Sequence, residues 1–330
     1  MSLTSKRWGR VPLICGTDIL AVQRLCKTYK SGKQANRDVS LQLHQAELFC
    51  LMGPNGAGKT TFMRQLAGLL RPSSGDLWVC GTHVNTNPRE AKSQIGYQPQ
   101  HLTGLSELTF REAVYFIGRI RLLSKAAIAE RVEGFAAVID LESVWETQIG
   151  RLSGGYRKIL SLVLALLPSA PLVLLDEPTA GLDPIHRRKV WRLVHQAREA
   201  GAAVLVASHH LDEIESHADR YAIMINGRWV KSGDMANLAR EAYDNAHIAV
   251  RIYPIAAMGD RVRDILNAGD IPSQVDEDQR CVVAHVPRGG LGKVMRLYTE
   301  QMSEMAQGIT VGRGELESYY MRTVAEEEAS

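Results

Sequence analysis

Eight consecutive residues, Gly53-Pro54-Asn55-Gly56-Ala57-Gly58-Lys59-Thr60, carry a recognisable chemistry in their types and order. The glycines let the backbone curl so that successive N–H groups converge on phosphate oxygens, at the positive end of a following helix. Lys59 is placed to reach the β- and γ-phosphates of a nucleoside triphosphate, and Thr60 to present its hydroxyl to Mg²⁺. Gly53, Asn55, Gly56, Ala57, Gly58, Lys59, Thr60 and the adjoining Thr61 are therefore the candidate phosphate-side residues. A second segment, Leu172-Val173-Leu174-Leu175-Asp176-Glu177, is an apolar run ending in two carboxylates. Paired acids at the end of a buried strand need a counter-charge, because desolvation penalises the ionised form. Mg²⁺ with a triphosphate supplies one, with Asp176 on the metal side and Glu177 placed to accept a proton from an attacking water.

The elements that must position these groups are legible from periodicity. The unbroken apolar run 48–52 predicts a fully buried strand leading into the glycine turn. Phe62, Met63, Leu66, Leu69 and Leu70 recur at helical spacing until Pro72. Up to about residue 82 the chain otherwise reads as short strands. From about 103 to 148 the pattern turns helical, with Thr109 and Glu112 forming a capping box and Phe110, Val114 and Ile117 an apolar stripe. Beyond Ser153 a helix (156–167), a strand (172–175), a helix (184–200) and a strand (204–207) alternate, which predicts a largely parallel, covered sheet. Residues 221–230, with Asn226-Gly227 at the turn, predict a closing hairpin. Strands at 248–253 and 281–286, helices at 290–305 and 315–323 and a strand at 309–311 suggest a small α+β domain of split-βαβ type.

Arg151-Leu152-Ser153-Gly154-Gly155-Tyr156 resembles the LSGG-type signature of the ATP-binding-cassette (ABC) ATPases, and it stands just before the acidic strand as in that family. The resemblance extends over about two-thirds of the chain and implies further roles. Tyr29 matches the aromatic that stacks on adenine. Gln100 in Tyr97-Gln98-Pro99-Gln100 matches the Q-loop glutamine, implied to take part in catalysis and to hold the metal, with Gln98 a lesser candidate. Ala180-Gly181-Leu182-Asp183 matches the D-loop, and His209 the switch histidine, leaving its neighbour His210 solvated. In that family Ser153, Gly154 and Gly155 of one copy meet the γ-phosphate held by another, so a second ABC ATPase subunit, identical or different, is an implied partner. ATP and Mg²⁺ are the implied ligands, and ATP hydrolysis the implied activity. The fold expected is α/β, a P-loop cassette with a mixed sheet and a helical subdomain at about 103–167. It would occupy residues 18–240, between an N-terminal extension (1–17) and a small α+β domain (241–330). Two positions depart from the family pattern: Tyr156 stands where glutamine is commonest, and Ala46 where glycine is usual.

Composition narrows the setting. A net charge of +3 gives no support for nucleic-acid binding. Five dispersed cysteines (Cys15, Cys26, Cys50, Cys80 and Cys281) fit a reduced chain better than a disulfide framework. The basic start leads into an apolar stretch interrupted by Gly16 and Asp18, so no export signal is expected. The uncharged run 159–175 is broken by Pro168 and Pro171, which points to a helix, a turn and a buried strand. The resemblance thus implies a cassette peripheral to the cytoplasmic face of a membrane, docked on an integral-membrane permease through a groove near residues 100–112. Leu316-Glu317-Ser318-Tyr319 and the residues after it resemble the ending of drug, antibiotic and polysaccharide exporter ATPases, which favours export. Translation-type relatives carry two cassettes, repair-type relatives long heptad insertions, and importer ATPases usually a larger β-rich tail.

Overall fold

The structure is a computed structural model, and it describes residues 18–238, 247–255, 258–276, 280–312, 319–320 and 323–324. The expected N-terminal extension lies outside the described residues. So does most of the expected last helix with its exporter-like ending. The chain divides into two compact units, Met1–Gly233 and Asp234–Ser330.

In the first unit, strands β1 (Asp18–Thr28) and β2 (Gln34–His44) form an antiparallel ribbon. Both are 11 residues long, so the short strands expected here are a misreading. Register shifts between Val22 and Leu25, with Arg24 at φ 44°, break the two-residue alternation that a long strand would otherwise display. Strand β3 (Leu48–Met52) is buried at every residue, as its sequence requires. Strands β4 (Ser74–Val79) and β5 (Thr82–His83) complete the first sheet, in the order β2-β1-β4-β5.

The second sheet adds β6 (Ile95–Gln98), β7 (Leu172–Asp176), β8 (Ala203–Ala207), β9 (Arg220–Ile225) and β10 (Arg228–Asp234), in the order β10-β9-β3-β8-β7-β6. Its pairs β9–β3, β3–β8, β8–β7 and β7–β6 are all parallel. The β9–β10 turn places Asn226 at φ 48° and Gly227 at φ 79°, the two left-handed positions that a two-residue hairpin needs. One core runs through both sheets and includes Leu20, Leu25, Phe49, Leu51, Phe62, Met63, Leu66 and Leu174.

Helix α1 (Lys59–Leu66) follows the glycine turn, and α2 (Pro88–Ser93) precedes β6. The helical stretch contains α3 (Phe110–Ile120) and α4 (Lys125–Ala136). The capping box is formed: Glu112 N–H donates to Thr109 Oγ1 at 3.1 Å, and Thr109 N–H donates to the Glu112 carboxylate at 2.8 Å. Helix α5 (Gly154–Leu166), β7, α6 (Pro184–Glu199), β8 and α7 (Leu211–His217) follow in alternation. The uncharged run is thus α5, a turn and β7. Ala46 sits at φ 58°, a left-handed conformation that costs a Cβ-bearing residue roughly 1–2 kcal/mol. Backbone conformation, more than small size, is what glycine would serve at this position.

The second unit runs β11 (His247–Pro254), α8 (Gly259–Ala268), β12 (Ser273–Asp276), β13 (Cys281–Pro287), α9 (Leu291–Leu297) with a π-helical turn to Met302, and β14 (Ala306–Gly312). Its antiparallel sheet has the order β12-β13-β11-β14, the split-βαβ arrangement. Val250, Ile252, Val262, Leu266, Val282, Ala284, Val294 and Met302 form its core. Sequence reading missed α8 and β12. In α8 only Val262 and Leu266 are buried, and β12 is a four-residue polar segment at the sheet edge.

Candidate functional site

The parallel strands all end on one side of the second sheet, the usual place for a ligand in such folds. From β3 comes the glycine turn, from β8 the segment Ser208–His210, from β7 the pair Asp176 and Glu177, and from β6 the segment containing Gln100. Because β8 lies between β3 and β7, groups more than a hundred residues apart in sequence converge.

Two glycines shape the turn. A Cβ at Gly58, where φ is 111°, would lie 2.1 Å from the Ala35 carbonyl oxygen, and a Cβ at Gly53 would lie 2.3 Å from that of Met224. No side chain fits at either place. Asn36, fully buried on β2, supports the turn by donating to the Gly58 carbonyl at 3.2 Å, and it accepts from Gln65 Nε2 at 2.7 Å. Sequence reading missed Asn36. Its signal was a polar residue at a buried position of an otherwise apolar strand face.

A cleft of about 350 Å³ is lined by Tyr29, Lys33, Ala35, Asn55, Gly56, Ala57, Gly58, Lys59, Thr60, Thr61, Gln100, Asp176 and Glu177. Lys33 and Ala35 were not foreseen, and nothing in their local sequence marks them. Tyr29 is partly exposed, with its hydroxyl 3.3 Å from Thr61 Oγ1. Lys59 donates to the carbonyls of Gly53 (2.6 Å) and Pro54 (3.1 Å). Burial lowers its pKa, opposed by the charges of Glu177 and Asp176. Lys158, on α5, was also missed. Burial lowers its pKa against the pull of the same two carboxylates, and it donates to the Gln100 carbonyl at 3.3 Å.

Asp176 is 1% exposed, and neither carboxylate oxygen has a hydrogen-bond partner among the described residues. Burial pushes its pKa up, the Thr60 hydroxyl beside it pulls the other way, Glu177 raises it and the two lysines lower it. A buried, unpartnered carboxylate next to a threonine hydroxyl is a donor set suited to a hard divalent cation. Glu177 is held at φ 53°, with its N–H bonded to the Ala207 carbonyl at 2.8 Å. One of its oxygens pairs with His209 Nδ1 at 2.9 Å, while the other is buried without a partner among the described residues. A strained backbone at such a carboxylate is a common mark of a working site.

The raised pKa of Asp176 has a consequence for stability. The folded chain binds the proton more tightly than the unfolded one, so ionised Asp176 costs stability as pH rises above the ordinary carboxylate value. Asp176→Asn is therefore expected to raise the melting temperature at pH 7, and the gain should vanish as pH falls to about 4. Thermal melts at the two pH values check this.

One expectation needs correction. His210 is half-buried, not solvated; its ring lies 4.3 Å from that of His209, and its N–H bonds Ser208 Oγ at 3.1 Å. Gln98 is fully buried, with Nε2 bonded to the Lys158 carbonyl at 3.4 Å, so of the two glutamines only Gln100 reaches the cleft.

Ser153, Gly154 and Gly155 do not line this cleft. Ser153 caps α5, its hydroxyl accepting from Tyr156 N–H at 3.2 Å. Gly154 borders a second cleft of about 520 Å³, together with Gln100, His101, Arg157, Ala180 and Gly181. Asp183 caps α6, accepting from Ile185 N–H (2.9 Å) and His186 N–H (3.1 Å). Its side chain also bonds His186, and that bond above all holds its pKa down at about 2.

The sequence model of a family described as "ABC transporter" matches residues 36–180. Phospholipid-transporting ATPase ABCA7 of Homo sapiens is 36% identical over 222 residues, 67% of this chain and 10% of that protein. Phospholipid-transporting ATPase ABCA3 of the same species is 34% identical over 215 residues, 65% of this chain and 13% of that protein. ABC transporter A family member 8 of Arabidopsis thaliana is 36% identical over 62% of this chain and 24% of its own length. The chain thus spans between about a tenth and a quarter of these relatives. A solved ATP-binding subunit of an ABC transporter is 27% identical, with a TM-score of 0.64 over 68% of this chain and 92% of that one. A dimeric bacterial ABC transporter cassette, 23% identical with a TM-score of 0.61, covers 66% of this chain and 99% of its own and shares the fold.

Proposed function

We propose that this chain, which carries an ATP-binding cassette domain of the ABC transporter type, binds and hydrolyses Mg-ATP and that two cassettes complete each other's sites to drive transport. The observation that carries the reading is the placement of the two acids. Asp176 and Glu177 face the glycine turn across one cleft, each with a buried oxygen that lacks a partner among the described residues.

Tyr29 would stack on the adenine. The backbone N–H groups of the glycine turn, with Lys59 and Thr61, would hold the phosphates at the start of α1. Thr60, Asp176 and Gln100 would hold Mg²⁺, which when bound neutralises charge on the β- and γ-phosphate oxygens. Glu177 takes the proton of the attacking water on its unpaired oxygen, while His209 fixes the carboxylate through the other. Gln100 orients that water. In this reading Ser153, Gly154, Gly155 and Asp183 serve the nucleotide of the partner cassette, which agrees with their lying away from the chain's own phosphate cleft. ATP then joins two cassettes, and loss of the γ-phosphate contacts releases them.

No helix among the described residues is long and apolar enough to cross a membrane. The proposed setting is the cytoplasmic face of a membrane, with an integral-membrane permease docked near residues 100–112, and without nucleic acid. Export is the direction favoured, by the tail resemblance. A separate permease chain is the leading arrangement. The small share of the relatives' length that this chain covers favours a second one, in which membrane segments belong to the same polypeptide. Intact mass and partner identification after purification from membranes separate the two. The cassette reading itself is tested by sedimentation with and without Mg-ATP and by phosphate release. ATP-dependent dimerisation with turnover is expected, and ATP binding without either would overturn the composite site.

A further inference from the structure

Tyr156 occupies the signature position that departs from the commonest pattern, and its surroundings in this chain are specific. Its ring meets the His186 ring edge-on, with centroids 5.4 Å apart and an interplanar angle of 74°. His186 stands in the first turn of α6, and its Nδ1 bonds Asp183, which also caps that helix. Just before Tyr156, a Cβ on Gly155 would lie 3.5 Å from Leu182, which is itself buried. Gly154, Ala180 and Gly181 border the same cleft. The signature turn, 153–155, and the loop 180–183 therefore lie side by side. Between them run an aromatic contact, Tyr156 to His186, and a hydrogen bond, His186 to Asp183.

We propose that Tyr156 is a positioning residue of the ATP site: clasped by His186, it locks turn 153–155 to loop 180–183, so that both meet the partner's nucleotide as one preformed surface. This rests on the two-cassette reading above. A glutamine at position 156 has no ring to set against His186, so the tyrosine and the histidine act as a pair. The contact needs the ring and not the hydroxyl. Preforming the surface lowers the ordering cost of dimerisation, which is where its effect should be read.

The test uses the full chain with Tyr156→Phe, Tyr156→Gln, His186→Ala and the double change Tyr156→Gln with His186→Ala. Each is compared at equal folded fraction in thermal melts, with His186→Asn replacing the alanine variant if the latter does not fold. Sedimentation in the presence of Mg-ATP gives the dimer dissociation constant. A fluorescent ATP analogue at dilute, monomeric concentration gives the nucleotide affinity. Tyr156→Gln and His186→Ala are each expected to weaken ATP-dependent dimerisation about three- to tenfold, the range of an aromatic pair contact. The double change should be no worse than the weaker single variant, Tyr156→Phe should match the wild type, and monomer affinity for the analogue should be unchanged in all. Additive losses in the double variant, or a Tyr156→Phe variant as impaired as Tyr156→Gln, would overturn the clasp. A wild-type chain that binds ATP and never dimerises refutes the two-cassette reading instead, and this is seen before any variant is made.

Discussion

Replacing Glu177 with glutamine is expected to lower ATP turnover by about 10²- to 10⁴-fold, the contribution of a well-placed general base, while leaving ATP binding intact. Glutamine keeps the volume and the carbonyl oxygen that can accept from His209, now 2.9 Å from the carboxylate. The bond from the backbone N–H to Ala207 is also kept, so the strained backbone at φ 53° stays in place. What disappears is the proton acceptor on the second oxygen, buried and without a partner among the described residues. With hydrolysis stopped and binding preserved, the ATP-bound dimer should accumulate and elute as such in size-exclusion chromatography with Mg-ATP. Full retention of the hydrolysis rate would remove Glu177 from the role of base, and a variant that stays monomeric in ATP would argue against the composite site.

Lys59→Ala is expected to weaken ATP binding by roughly 10- to 100-fold, since a hydrogen bond to a charged group is worth about 1.5–3 kcal/mol. Lys59 is buried, and its ammonium holds the carbonyls of Gly53 and Pro54. Burial lowers its pKa, and the charges of Glu177 and Asp176 counter that effect. The ammonium thus lies in the cleft that Asp176 and Glu177 also line. Alanine removes the charge and leaves both loop carbonyls without their donor. Lys59→Arg should not rescue binding, because a planar guanidinium cannot occupy the compact ammonium site. Titration calorimetry with Mg-ATP checks both variants; affinity equal to wild type in Lys59→Ala would place the phosphates elsewhere.

Much of the cassette was legible because its signals are local. Glycine spacing, the apolar strands 48–52 and 172–175, the Thr109–Glu112 box and the Asn226-Gly227 turn are each properties of a few adjacent residues. The misreadings have physical causes of the same kind. β1 hides its length because bulges interrupt the alternation. α8 buries only Val262 and Leu266, too few for a periodic stripe. Lys33 and Lys158 come from segments whose own sequence gives no reason to expect a ligand, and Asn36 is marked only by being polar at a buried position of β2.

The glycine turn with Lys59 and Thr60, and the acids that end β7, were determined by sequence alone, because their residue types and spacings lie within a few adjacent positions. Their meeting was decided by tertiary structure. The sheet order β3-β8-β7-β6 sets the glycine turn, His209, the acids and Gln100 along one edge. That order depends on which covered faces pack together, a non-local balance that no short segment encodes. The same holds for the turn 153–155. Its sequence marks an anion site, and only the fold turns it away from the chain's own cleft and sets Tyr156 against His186, because side-chain neighbours across helices are fixed by packing and not by spacing.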